Sequence, residues 1–345
     1  MTSRFSLFLV AAALFFLASP ERLLAQRADA LSLEPACQSL TLASTGGPLP
    51  KGADVVVLRY LGSANHELTY RGNVFLLDAH FDRAAPARPL GFNFKDMKKA
   101  TAIFIGHAHS DHISDAVAVA QQTGARVFGG PPTYDFVRAN GLPEQQAVLT
   151  RGGETFKFPG VTVTAVLAHH SDRPGPEFQQ ATEGFRDIVT ALRRPRTDEE
   201  QQHQQAISSR GSRDPKLASE GTIAYLFTFD NGYRLYYQDS AGPITDAQKD
   251  LIKTIGSVDL GLFAYQGFFL SQNQVDATMP LLRLFKPRVL LPTHHDETGG
   301  IFGDMAIEPL FMAVRDELPE TRSISPLYRS PVCINVSSKE VYAGR

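Results

Sequence analysis

The chain lacks an excess of charge of either sign. Its 345 residues include 34 basic and 36 acidic side chains, which give a formal net charge of −2. Nucleic-acid-binding domains normally carry a basic surplus, so this balance argues against a nucleic-acid partner. Hydrophobic residues make up 43% of the sequence, which is enough to build a large folded core.

Long apolar runs are missing after the N-terminus. Residues 5–17 are almost continuously apolar and follow Arg4, but this run is short for a membrane-spanning helix. The small residue Ala25 then ends a plausible cleavage site. We therefore predict a signal peptide over residues 1–25, export to the periplasm or the extracellular space, and no membrane insertion once it is removed. An uncleaved anchor is the alternative.

Cysteine is scarce as well. Only Cys37 and Cys333 are present, and neither has metal-ligand neighbours in the sequence. Chain ends often lie close together in a domain, so one disulfide is an option in an oxidising compartment. Two unrelated buried thiols are the alternative.

What the chain does contain is a dense run of metal-ligand side chains. Residues 107–112 read His-Ala-His-Ser-Asp-His, between an apolar run at 102–105, predicted as a strand, and a predicted helix at 114–120. A strand-to-helix turn can aim three imidazoles and a carboxylate at one point, and zinc accepts both ligand types. The alternative is a polar turn that binds no metal, although four unpaired polar groups in six positions would be costly to bury.

Further histidines and an aspartate follow other predicted strands. The run at 161–167 leads into His169 and His170, and the run at 287–291 leads into His294 and His295. A hairpin signal at 230–232 is followed by a strand that ends at Asp239. The other predicted strands are 55–58, 74–77, 126–128, 222–229 and 260–263. Strand ends that converge on one rim of a sheet place a site there.

The order H-x-H-x-D-H, A-x-H, Asp after a strand and P-x-H resembles the metallo-β-lactamase superfamily. The resemblance covers about residues 54–296 and is closest to the lactonase- and phosphodiesterase-like branch. It implies an α/β fold with separate layers, an αββα sandwich, over residues 37–345. A helical insertion would occupy residues 172–220 within that domain.

The resemblance also implies two divalent metal ions, most readily zinc, with manganese or iron also suited to nitrogen and oxygen ligands. Spacing favours His170 over His169 and His294 over His295. Gln238 and Ser240 flank Asp239 where Gly and Thr are usual, which leaves the carboxylate intact. The implied ligands are His107, His109 and His170 for the first metal, Asp111, His112 and His294 for the second, and Asp239 as a bridge.

The implied chemistry is hydrolysis. Two neighbouring cations lower the pKa of a bridging water and polarise the bond that the resulting hydroxide attacks. Asp111 would orient the hydroxide, and Tyr265 is a candidate hydrogen-bond donor to an oxyanion, although an aromatic residue after a strand is more often core. We expect a small ester, lactone or phosphodiester as substrate. The site's net charge of about +1 weakly favours anionic molecules.

The sequence is also compatible with two other functions. A secreted metallo-β-lactamase is one alternative, against which the aspartate at 239 argues, and a non-catalytic metal-binding protein is another. In the insertion, apolar residues at 178–192 recur at helical spacing, and Thr197 with Glu200 forms a capping box for a more polar helix. This segment is either a cap over the site or a surface helical hairpin. We expect Asp78 to be structural, and the remaining histidines, His66, His80 and His203, not to be ligands.

Overall fold

The computed structural model describes residues 31–85, 87–171, 195–212, 221–265, 274–296 and 307–343. The predicted signal peptide and the first predicted helix of the insertion lie outside these residues. Within them, two mixed sheets face each other and helices pack on their outer sides. The predicted αββα sandwich is therefore confirmed.

The first sheet has the strand order β15-β14-β1-β2-β3-β4-β5-β6. Its strands are β1 Val55–Tyr60, β2 His66–Tyr70, β3 Asn73–Leu77, β4 Ala102–Phe104, β5 Arg126–Gly129, β6 Ala147–Leu149, β14 Pro331–Asn335 and β15 Glu340–Ala343.

The second sheet has the order β13-β12-β11-β10-β9-β8-β7. Its strands are β7 Thr155–Phe158, β8 Val161–Leu167, β9 Ile223–Phe229, β10 Arg234–Gln238, β11 Leu260–Ala264, β12 Val289–Thr293 and β13 Arg322–Ser323.

Helices connect many of these strands. The α-helices are α1 Pro35–Gln38, α2 Ser110–Ile113, α3 Ala116–Thr123, α4 Pro131–Ala139, α5 Asp198–Ser208, α6 Asp246–Ile255, α7 Gln274–Phe285 and α8 Glu308–Glu317. No helix in the described part of the chain is long and apolar enough to cross a membrane. Short 3₁₀ turns occur at Ala43–Thr45, Phe94–Asp96 and Glu144–Gln146.

The alternation of side chains along the strands divides the core into layers. In β10, Leu235 and Tyr237 enter the layer between the sheets, whereas Tyr236 points to the helical layer outside, where it stacks on Phe285 of α7. This period of two is what a strand buried on both faces requires. Each fully buried apolar side chain contributes roughly 1.5–3 kcal/mol, so the layer between the sheets and the two helical layers all stabilise the fold.

Parallel strands bring the polar strand ends to one rim. β10, β11 and β12 run parallel, as do β3 and β4, so the residues that follow them lie at the same edge of the sandwich. Ile223 donates its backbone N–H to the carbonyl of Gly106 at 2.8 Å, which ties the second sheet to the turn after β4. The convergence predicted from the strand ends is therefore present.

Three details refine the sequence predictions. β2 was not predicted, because its first residues, His66 and Glu67, are polar yet fully buried. The polar insertion helix is confirmed as α5, with the capping box of Thr197 and Glu200 in place. The helix predicted at 114–120 begins at Ala116, with Asp115 at the N-cap position but without a cap hydrogen bond from its side chain.

A disulfide links Cys37 in α1 to Cys333 in β14, with the two Cα atoms 6.0 Å apart. Of the two arrangements left open by the sequence, the paired one is therefore observed. It fixes the segment before β1 against β14 of the first sheet.

Candidate metal centre

Hydrogen bonds to neighbouring segments hold the turn after β4 in place. Ile105 donates its N–H to Phe128, and Gly106 donates its N–H to Asp78 Oδ1 at 3.0 Å. A Cβ at position 106 would lie 2.0 Å from Cγ of Asp239, so only glycine lets that carboxylate approach. The turn then enters α2, whose N-cap position is His109.

A first triad is formed by His107, His109 and His170. Nε2 of His107 lies 3.0 Å from Nδ1 of His109, and the rings of His107 and His170 are 4.6 Å apart. Burial lowers the pKa of all three imidazoles, to about 4 for His109. They are therefore neutral near pH 7 and have lone pairs available for a cation.

A second triad is formed by Asp111, His112 and His294. Nε2 of His294 lies 3.0 Å from Nε2 of His112, and both nitrogens lie within 3.5 Å of Asp111 Oδ2. Burial would raise the pKa of Asp111, but His112 and His294 hold it well below its usual range, so the group is a carboxylate.

Asp239 lies between the two triads. Its Oδ2 is 2.7 Å from Nδ1 of His107 and 3.2 Å from Nδ1 of His112. Burial would raise its pKa, but the two histidines lower it, so the carboxylate is charged. Its Oδ1 is buried and has no hydrogen-bond partner among the described residues, which leaves one oxygen available to a cation. The carboxylate thus contacts the Nδ1 edges of imidazoles whose Nε2 atoms face the other triad members.

Asp78, which the sequence analysis treats as structural, contacts both the ligand turn and a histidine of the second triad. Its Oδ2 lies 2.6 Å from Nδ1 of His112, which leaves Nε2 of that ring facing the second triad. Such a carboxylate behind a ligating imidazole fixes its orientation and raises its basicity. Burial lowers the pKa of His112, but Asp111, Asp78 and Asp239 together raise it to about 9. The available signal was the same one used for Asp239, a carboxylate directly after a buried strand.

Several candidates lie outside the two triads. His169 is exposed, and His295 stacks on Tyr60 with ring centroids 4.9 Å apart. The spacing preference for His170 and His294 thus matches the residues that the structure brings together.

The three histidines expected to lie outside the site do so. His66 contacts Ala64 O through Nδ1, at 3.0 Å. His80 contacts the Ser114 hydroxyl at 2.9 Å. His203 contacts Asp82 at 2.8 Å.

Tyr265 is buried on the helical side of the second sheet. It belongs to the same apolar cluster as Ala168 and Ala241, and burial alone raises its pKa to about 12. Its hydroxyl has no hydrogen-bond partner among the described residues, and no contact joins it to either triad there. Its role as an oxyanion donor stays a prediction.

The described part of the insertion lies directly against the ligand turn. Ser212 donates its N–H to Ala108 O at 2.7 Å, and Gly211 packs on the backbone of Ser110. Arg210 contacts Asp82 at 2.6 Å and Asp115 at 3.2 Å. The segment is thus anchored to the turn that carries the first triad.

The donor set fits divalent cations. The seven side chains fall into three overlapping groups, and within each group the candidate ligand atoms lie within 4.8 Å of one another. Neutral imidazoles and carboxylates without thiolate are ligands that zinc, manganese and iron accept. The unpartnered Oδ1 of Asp239 is a buried acceptor that a cation would satisfy.

Comparison with known proteins agrees with this geometry. The family model described as the beta-lactamase superfamily domain matches residues 73–192, which contain the H-x-H-x-D-H turn and His170. A UPF0173 metal-dependent hydrolase of Cupriavidus necator is 26% identical over 80% of this chain and 87% of its own length. The family model and this relative support the resemblance to the metallo-β-lactamase superfamily. A UPF0173 metal-dependent hydrolase of Thermococcus onnurineus is also 26% identical, over 72% of this chain and 89% of its own.

Solved structures show the same superfamily fold. Igni18, a metallo hydrolase from Ignicoccus hospitalis, superposes with a TM-score of 0.53 at 15% identity and covers 81% of this chain and 98% of its own. CmlA, a diiron β-hydroxylase from Streptomyces venezuelae, superposes with a TM-score of 0.50 at 14% identity, over 83% of this chain and 55% of its own. One fold therefore carries different chemistries. The expectation of a metal-dependent hydrolase is confirmed at this coarse level by the sequence relatives.

Proposed function

We propose that this protein is an exported hydrolase that holds two divalent metal ions and cleaves a small ester, lactone or phosphodiester. The observation that carries the proposal is the set of three overlapping ligand groups at one rim of the sandwich. The branch resemblance suggests the substrate classes, and the Cys37–Cys333 disulfide supports an oxidising compartment outside the cytoplasm.

The two triads would each hold one ion, with zinc the first choice. When bound, the metals would supply hydroxide near neutral pH and would polarise the bond to be cleaved. Asp239 would link the two sites, because its carboxylate contacts a histidine of each triad. Adding a metal to the second triad must displace the proton that its neighbours hold on His112.

The protein's own groups position the reactants. The side chain of Asp111 remains 38% exposed although its Oδ2 contacts both histidines of its triad, so it can orient a water molecule that enters the cleft. Asp78 keeps the imidazole of His112 in one orientation. With two cations, two ligand carboxylates and one hydroxide, the site carries a net charge of about +1, which favours small anionic substrates.

A substrate screen with a matched pair of variants tests the proposal. The zinc-loaded protein would be assayed with phosphodiester, lactone, carboxylester, thioester and β-lactam probes. We expect turnover of one of the first three classes, its loss in His170→Ala, and its retention in the adjacent variant His169→Ala, because only His170 belongs to a triad.

Two results would contradict the proposal. Equal activity in His170→Ala and His169→Ala would show that the hydrolysis does not depend on the first triad. Hydrolysis of the β-lactam probe alone would favour the β-lactamase alternative instead.

A further inference from the structure

A buried polar cluster lies beside the second triad and is centred on Asp296. Its Oδ2 pairs with Arg83 at 2.7 Å and accepts a hydrogen bond from the Tyr328 hydroxyl. Its Oδ1 accepts from the Tyr60 hydroxyl at 2.9 Å and from the backbone N–H of Ser63 at 2.7 Å. The paired charges are each only 4% exposed. Four donors therefore converge on one carboxylate, two residues after a histidine of the second triad.

Ser63 connects this cluster to both loops of the second triad. Its carbonyl accepts from the N–H of His294 at 2.7 Å and from the Thr293 hydroxyl at 3.1 Å. Its own hydroxyl donates to the backbone carbonyl of Asp111 at 3.1 Å. One residue thus holds the two segments that bring Asp111 and His294 together.

The backbone of these segments needs such support. Ser63 has φ 52° and His294 has φ 62°, in the left-handed region that non-glycine residues rarely adopt. Conformations of this kind persist only where the surroundings determine them, and they cluster at functional sites. The hydrogen bond from the Ser63 N–H to Asp296 holds Ser63 in this conformation on one side of the second triad.

We propose that Asp296 is a positioning residue for the second metal site, acting through Ser63 on Asp111 and His294. The inference rests on the proposed function in that it requires a second metal to be bound. A buried ion pair is weak evidence for stability by itself, since desolvation offsets its attraction. Its value here is geometric, because Asp296 fixes one residue that touches both ligand loops.

The chain offers a matched control in the Arg59–Glu67 pair. This pair joins β1 and β2, the strands on either side of Ser63, at 3.2 Å, and both side chains are fully buried. Glu67 also accepts two backbone N–H groups, from Ala43 and Ser44. In the described part of the chain the contacts of this pair go to each other and to the backbone of Ala36, Ser39, Ala43 and Ser44, so Glu67→Gln disturbs a buried ion pair away from the ligand loops.

The test is calorimetric titration of metal-free protein with zinc, with urea unfolding measured in parallel. The transition lost in His294→Ala identifies the second site, and the one lost in His170→Ala identifies the first. We expect Asp296→Asn to weaken the second site by roughly 10–100-fold, as is usual for residues that support metal ligands, and to leave the first unchanged. Glu67→Gln should lower the urea midpoint but change neither affinity.

A second variant covers failure of Asp296→Asn to fold. Ser63→Gly keeps the left-handed backbone, which glycine tolerates, and removes the hydroxyl that donates to the Asp111 carbonyl. It should weaken the second site selectively, by a smaller factor.

Unchanged second-site affinity in both Asp296→Asn and Ser63→Gly would overturn the inference, while the two-metal proposal would stand if the wild type still bound two ions. A wild type with no second transition would overturn both.

Discussion

At the scale of single residues, burial decides the charge of His66 in the folded protein. His66 in β2 lies between the rings of Tyr60 and Tyr237 and is fully buried, and burial lowers its pKa to about 3. Its Nδ1 contacts Ala64 O at 3.0 Å, which one protonated nitrogen satisfies. The folded protein therefore keeps this imidazole neutral, whereas the unfolded chain protonates it near pH 6.5.

This difference predicts a pH dependence of stability. Between about pH 3 and 6.5 the unfolded state binds one more proton at His66, so the free energy of unfolding should rise with pH by about 1.4 kcal/mol per unit from this group. His66→Phe keeps a ring in place and removes the titration. Urea unfolding of metal-free protein at pH 5, 6 and 7 should show a shallower slope for the variant, and equal slopes would refute the assignment.

Some residues of the site could be predicted from the sequence and others could not. The H-x-H-x-D-H turn and the histidines after strands were predictable, because ligand types at strand ends are visible in the sequence. Asp78 was assigned a structural role since nothing in the sequence shows that its carboxylate meets Nδ1 of His112. The roles of Asp296 and Ser63 depend on partners more than 200 residues apart, which local patterns do not reveal.

At the scale of elements, apolar runs predicted nine of the fifteen described strands and missed β2, β6, β7, β13, β14 and β15. Glu67 in β2 is buried because Arg59 of β1 pairs with it across the sheet. This pairing arises from the tertiary structure and is not visible in the local sequence. The insertion was predictable as a helix from its capping box but not in its position. The structure places the end of α5 and the following residues on the ligand turn, where Ser212 bonds Ala108.

The anchoring of this segment predicts a local effect for Arg210. Arg210→Gln removes the contacts with Asp82 and the buried Asp115, and hydrogen bonds to charged groups contribute about 1.5–3 kcal/mol when well shielded. Arg210 is one-third exposed, so we expect the lower end, about a tenfold increase in local opening. Hydrogen exchange should quicken in residues 198–212 and in the ligand turn.

The control for this experiment is Arg196→Gln, which removes an exposed arginine from the same segment. Among the described residues, its Nε donates to the carbonyl of Ala85 and its Nη2 donates to Gln204 of α5. Exchange as slow in Arg210→Gln as in this control would show that Arg210 does not hold the segment on the turn.

At the scale of the whole molecule, one covalent link ties together the two ends of the described chain. Cys37 and Cys333 are 296 residues apart in sequence, and the intervening chain contains the second sheet and most of the first. Loss of a native disulfide typically costs about 2–5 kcal/mol. The double variant Cys37→Ser/Cys333→Ser should therefore unfold at lower urea concentration than the oxidised wild type.

Reductant provides the comparison for the disulfide. Wild type unfolded in dithiothreitol should approach the double variant, and the double variant should not respond to dithiothreitol. Identical midpoints for oxidised wild type and variant would mean that this link does not stabilise the fold.

The most direct test of the two-metal centre is the metal content of the purified protein after zinc reconstitution and removal of excess ion. Seven donors in three overlapping groups predict about two zinc ions per chain, and about one in either His170→Ala or His294→Ala. His169→Ala and His295→Ala should each retain about two. A reconstituted wild type without stoichiometric metal would contradict the account at its centre.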